Sequence, residues 1–221
     1  MILKSRLLFL LEKNGGHIID NISQSEIEDY TYIREHLSTT DVSEDEDLQS
    51  RISQLYQFTK HRIDIKTRTH FYSMLEKFKQ EETMDLNNVA EKFLASENRK
   101  SYQAKHFTTL TYLTHLLDDK YGIYSAHLGE MFDFSLPRGQ LIGNYQKKVA
   151  FLEFYMQKTQ LYQEIIEEPA LQNLLKVVRI KFFDYRSVLT LPKRVDLLVR
   201  SASDLHGKGK LLVSGKVGTS S

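Results

Sequence analysis

Lys105 is the residue whose position most invites covalent chemistry. It opens a helical pattern whose apolar face runs through Phe107, Leu110 and Leu113. A lysine held against such a face loses solvation, its amine pKa falls, and it gains nucleophilic character. The same residue also reads as a solvated lysine near a helix start, or as one that snorkels along the core edge. Asp196 follows Lys193-Arg194 in the first turns of another helix. There it reads as dipole compensation or as half of a local ion pair. Tyr124 reads either as a ring for base stacking or as core packing.

A second kind of chemistry is phosphate contact. Lys176 and Arg179 stand at i, i+3 and share a helix face, with Lys181 in the same two turns. Together with Arg186, Lys193, Arg194 and Arg200 they make a candidate nucleic-acid-binding surface. A solvated helix face is the competing reading. The whole-chain charge is only +1, but residues 1–50 carry 4 Lys/Arg against 11 Asp/Glu, and residues 170–221 carry 10 against 3. That asymmetry fits either a polyanionic partner, DNA above all, or two ends that compensate each other within the fold.

Other chemistries lack their residues. With no cysteine in the chain, disulfides, thiolate metal sites and cysteine nucleophiles are excluded. A reducing cytoplasm fits that composition. The phosphate-binding loop, the dinucleotide glycine fingerprint, His-Glu-x-x-His and Gly-x-Ser-x-Gly are all missing. His106 and His115 are nine residues apart, about half a turn out of register, which argues against a shared metal. No metal and no cofactor is expected. The N-terminal apolar run spans only residues 7–11 before Glu12-Lys13, which reads as a short amphipathic helix and not as a signal peptide. No stretch approaches a membrane span, so no membrane partner is expected.

The elements that must position these groups read as helical. Helices are expected over 2–13, 24–37, 44–60, 67–81, 85–96, 101–119, 124–132, 139–167, 169–183 and 191–202. Gly15-Gly16 would stop the first. Ser23 with Glu26, and Ser43 with Glu46, have capping-box spacing and would open the next two. The acidic run 44–47 then suits a helix N-terminus better than a metal or partner site. Asp85, Pro169 and Pro192 are natural helix starters. Only His17 to Ile19 and residues 209–213 offer short strand candidates. The expected fold is an all-α, single-domain orthogonal multi-helix bundle of about 9–10 helices over residues 1–203. An N-terminal subdomain over 1–62 and a flexible Gly/Lys/Ser-rich tail over 204–221 are further expectations.

Two clusters, Ser101-Tyr-Gln-Ala-Lys-His with Tyr121-Gly-Ile-Tyr124, and Phe182-Phe-Asp-Tyr-Arg186 with Leu191-Pro-Lys-Arg-Val-Asp196, give the chain a family likeness. It resembles uncharacterised bacterial all-α proteins with motifs like those of helix-hairpin-helix DNA glycosylases. Ser101, Ala104 and Lys105 match the helix-start motif. Ile123 and Tyr124 match part of the turn motif, and Lys193, Arg194, Val195 and Asp196 match the C-terminal one. Ser125 stands where the turn motif carries Asp, and Gly122 replaces its Pro. The resemblance implies the fold, and a base-excision enzyme in which a helix-borne Lys and a nearby Asp act on a flipped base. Three functions therefore remain open: DNA binding through the basic C-terminal third, a non-catalytic structural or protein-interaction module of undetermined oligomeric state, and base excision through Lys105.

Overall fold

Ten α-helices and one 3-10 turn organise the protein in a computed structural model that describes residues 4–81, 83–95, 102–138 and 142–211. No strand occurs among the described residues. The helices are α1 (Lys4–Asp20), α2 (Gln24–His36), α3 (Glu46–Leu55), α4 (Ile65–Phe78) and α5 (Leu86–Ala95). They continue as α6 (Ala104–Leu117), α7 (Ala126–Met131), α8 (Asn144–Ile166), α9 (Pro169–Lys181) and α10 (Leu191–Gly207). The 3-10 turn is Phe183–Tyr185.

Local chemistry sets most boundaries. Ser23 caps α2 by accepting the Glu26 N–H, and Asp64 caps α4 through the Thr67 N–H at 3.0 Å. Pro169 and Pro192 sit in the first turns of α9 and α10. Two expectations are corrected. Gly15-Gly16 does not stop α1, which runs through His17 to Ile19. A Cβ on Gly15 would overlap Leu174 of α9, so this glycine serves close helix packing. Ser43 does not cap α3. Asp45 does, accepting the Leu48 N–H at 2.7 Å, and the helix ends at Leu55, five residues before the expected end. Residues 56–62 form turns instead, with Gln57 and Arg62 at φ 50 and 53.

Buried apolar residues from every helix join one core cluster, with residues of the 1–62 stretch among them. α10 is its axis, packing against α1, α7, α8 and α9. It is buried on all sides, with Val195, Leu198, Val199, Ala202 and Leu205 at 0–1% exposure. It also extends to Gly207, and Leu211 beyond it is buried. The compact part of the chain therefore runs past residue 203, because α10 still has core to cover there. Ser101, Gly139 and residues 212–221 lie outside the described residues, and with them most of the expected tail and part of the 209–213 strand candidate.

Candidate functional site

Lys105 occupies the first turn of α6, where its ammonium meets the Asp64 carboxylate at 3.4 Å. Its side chain keeps 32% exposure, so it is not the desolvated amine that nucleophilic chemistry needs. The pairing serves the cap of α4. Burial alone would raise the Asp64 carboxyl, but the Thr67 N–H and hydroxyl and the Lys105 ammonium outweigh it and hold the group at about 2. Ser125, where the turn motif would place a carboxylate, caps α7 by accepting the Leu128 N–H at 3.1 Å. Tyr124 is core, in edge contact with Phe134, Phe151 and Phe154.

The seven basic candidates of the C-terminal third divide into an outward and an inward set. Lys176, Arg179, Lys181 and Arg186 are exposed and Arg194 is half-buried. Lys181 is engaged by the Ile19 carbonyl at 2.8 Å and by Asp20. Arg186 folds back over the Phe183 ring, 4.0 Å from its centroid, while donating to the Phe183 carbonyl. Arg194 donates to the carbonyls of Leu189 and Leu175. Burial and the neighbouring Arg179 charge lower its pKa.

Lys193 and Arg200 face inward, which corrects their assignment to a phosphate-contacting surface. Lys193 is fully buried and the Arg200 side chain keeps 19% exposure. Lys193, Asp196 and Arg200 share one face of α10 at i, i+3, i+7, and that face closes against α2, α6 and α8. Arg200 donates to Asp196 Oδ2 at 2.9 Å and pairs with Glu26 of α2. Burial would lower the Arg200 pKa, but these two carboxylates raise it instead. Asp196 Oδ1 accepts the Ile123 N–H at 3.0 Å. The 122–124 turn and the start of α10 are thus brought into direct contact.

Two further buried groups complete this cluster. His115 of α6 lies between Lys193 Nζ, 3.0 Å from Nε2, and Tyr56 Oη, 2.8 Å from Nδ1. Burial and the adjacent Lys193 and Arg200 charges push its pKa well down, so the ring is neutral. Its 3.8 Å approach to Asp196 is therefore no ion pair. Because Lys193 donates to Nε2, the ring proton resides on Nδ1 and is donated to Tyr56. Lys158 of α8 donates to the Gly122 carbonyl at 2.6 Å and lies over the Tyr155 and Tyr162 rings. Tyr155 Oη donates to the same carbonyl at 2.9 Å. Burial lowers Lys158 to about 7 and Lys193 to about 8. His115, Lys158, Lys193 and Asp196 have 0% exposure. Their bonds tie α6, α8 and α10 to one another and to the 122–124 turn.

Neither His115 nor Lys158 figured among the sequence candidates. Lys158 carried a signal: it stands at i+3 from Tyr155 and i−4 from Tyr162, on the apolar stripe of α8. His115 carried none, since Thr111, Thr114, Asp118 and Asp119 are among its helical neighbours.

No protein-family model, curated protein or solved structure matches this chain.

Beside this cluster opens a cleft of about 270 Å³, lined among others by Tyr56, Lys60, His61, Tyr112, His127 and Arg200. Lys105 is not among its lining residues. Among the described residues no three His, Asp or Glu side chains converge to hold a metal, and no helix is long and apolar enough to cross a membrane.

Proposed function

We propose that this protein binds nucleic acid through the outer face of α9 and the connection that leads into α10. The observation that carries this reading is the division of the basic residues. Lys176, Arg179 and Arg186 are exposed and form no ion pair among the described residues, whereas Lys193 and Arg200 are committed to the interior and Arg194 is half-buried against backbone carbonyls. Cations that are exposed and unneutralised bind phosphates and release counterions. The Asp184 carboxylate is the exposed anion within this stretch. The family likeness adds to the reading, through its tie to DNA-acting proteins. Lys105 and Ser125 have structural partners of their own, so binding, not base excision, is the function proposed.

The interaction-module reading has one observation in its favour. Glu26 pairs with Arg200, Asp20 with Lys181, and Tyr185 with Glu28 and Gln24. Part of the acidic front is thereby spent against the basic back within the chain. The exposed cations of α9 are what this compensation leaves over.

Fluorescence anisotropy with labelled oligonucleotides across a salt series tests the proposal. Binding should weaken steeply with salt. The combined Lys176→Ala, Arg179→Ala and Arg186→Ala variant should bind more weakly, with a log-log salt slope lower by about 0.7–0.9 for each phosphate that is no longer neutralised. Absence of binding at low salt, or an unaffected triple variant, would overturn it.

A further inference from the structure

The exposed face of α9 is not purely basic. Val177, Ile180 and Phe183 are 47%, 72% and 55% exposed. Val177 and Ile180 stand at i, i+3 on α9, and Phe183 follows just past its end, in the 3-10 turn. The opposite face of α9 is already used, since Leu171, Leu175 and Val178 are buried in the core. Core packing therefore does not account for the outer stripe. Phe183 differs from its neighbours in geometry. Arg186 holds its guanidinium 4.0 Å from the ring centroid, fixed by the 3.1 Å bond from Nη1 to the Phe183 carbonyl. The result is a cation held over an exposed aromatic ring, just past the end of a cationic helix.

We infer that the nucleic acid taken by this face is single-stranded, with a base stacking on the Phe183–Arg186 platform while Lys176 and Arg179 contact the backbone. This rests on the nucleic-acid reading above and names its substrate class. In a duplex the base faces are covered by their neighbours, and an apolar stripe laid against phosphates gains nothing. In a single strand every base offers a π face, and aromatic side chains flanked by cations are the surface that accepts it. Charge complementarity points the same way, with Lys176, Arg179 and Arg186 exposed in the same stretch against Asp184 alone. A bilayer is the poorer occupant, because the stripe presents two aliphatic side chains and one ring, where an interfacial helix offers a broad apolar face.

The test compares three labelled probes of equal length, about 12 nucleotides: oligo-dT, an abasic strand, and a duplex. Oligo-dT should bind most tightly. Phe183→Ala should weaken oligo-dT binding by roughly fivefold to a hundredfold and leave the abasic strand unaffected, and Phe183→Trp should restore it. Thermal melting of both variants checks that this exposed site leaves the fold intact. If the duplex or the abasic strand binds as well as oligo-dT and Phe183→Ala changes nothing, the single-strand inference falls while nucleic-acid binding stands. If no probe binds, both fall. Co-sedimentation with phosphatidylserine vesicles, without binding of any oligonucleotide, would replace both with a membrane surface.

Discussion

Asp196 of α10 accepts the backbone N–H of Ile123 at 3.0 Å and thereby fastens the central helix to the turn between α6 and α7. The same carboxylate receives Arg200, which in turn holds Glu26 of α2. One buried anion thus connects three regions far apart in sequence. It does so because α10 is surrounded, and a charged face on a surrounded helix must find its partners inside.

The turn approaches Asp196 so closely that residue 122 has no room for a side chain. A Cβ there would overlap Asp196 Oδ1 and lie 2.7 Å from Tyr162. Gly122→Ala should destabilise the fold by about 2–3 kcal/mol, read from the shift in a urea midpoint. A change below about 0.5 kcal/mol would mean that the turn is not clamped.

Inward and outward basic residues should separate cleanly in stability measurements. Asp196→Asn leaves Arg200 with Glu26 alone and should cost about 3 kcal/mol. Lys193→Ala removes a donor from buried His115 and should be similarly damaging. Lys176→Ala and Arg179→Ala, on the exposed face, should stay within about 0.5 kcal/mol of the parent protein. Equal effects at the two sets would contradict the division.

Stability should rise from pH 7 to pH 9. Lys158 at about 7 and Lys193 at about 8 lie below their ordinary value of 10.5, so the unfolded chain binds more protons across this window. The gain is on the order of 4 kcal/mol for the pair. Below about pH 6 both lysines are charged in either state and the trend ends. Above about pH 10 it reverses, because burial raises the pKa of Tyr56, Tyr155 and Tyr162 and the unfolded tyrosines ionise first. Lys158→Met should flatten the rise and leave the protein as stable or more stable at pH 7, with Tyr155 still satisfying the Gly122 carbonyl. Chemical denaturation at several pH values distinguishes a flattened profile from an unchanged one.

Asp64 provides an acid-side counterpart. Its carboxyl is held at about 2, below its ordinary value, so its contribution is complete above about pH 4 and disappears as pH falls through 2. Asp64→Ala should cost about 1 kcal/mol at pH 7, the worth of a helix cap. The Lys105 share is small, since both side chains reach solvent. The difference between parent and variant should shrink from pH 4 to pH 2. A constant difference would locate the cost in packing instead.

The elements were legible where the information is local. Ser23, Asp85 and Pro169 mark real helix starts because a cap or a proline acts within one turn. Gly15-Gly16 misled because a glycine that ends a helix and one that admits a neighbouring helix look alike in sequence. Ser43 misled because Asp45 offers an equally good acceptor two residues later, and only one of them can cap.

The sequence by itself determined an all-helical chain without cysteine, with an acidic front, a basic back and ten helical segments, several of whose ends lie five to seven residues from where they were expected. Those properties follow from composition and from periodicity within a turn or two. Which charges face water was decided by tertiary structure alone. Lys193 and Arg200 look no different in sequence from Lys176 and Arg179. They are inside because α10 became the centre of the bundle, with Glu26, His115 and Asp196 brought to meet them. The exposed basic residues of the C-terminal third are thereby left on α9 and the connection after it.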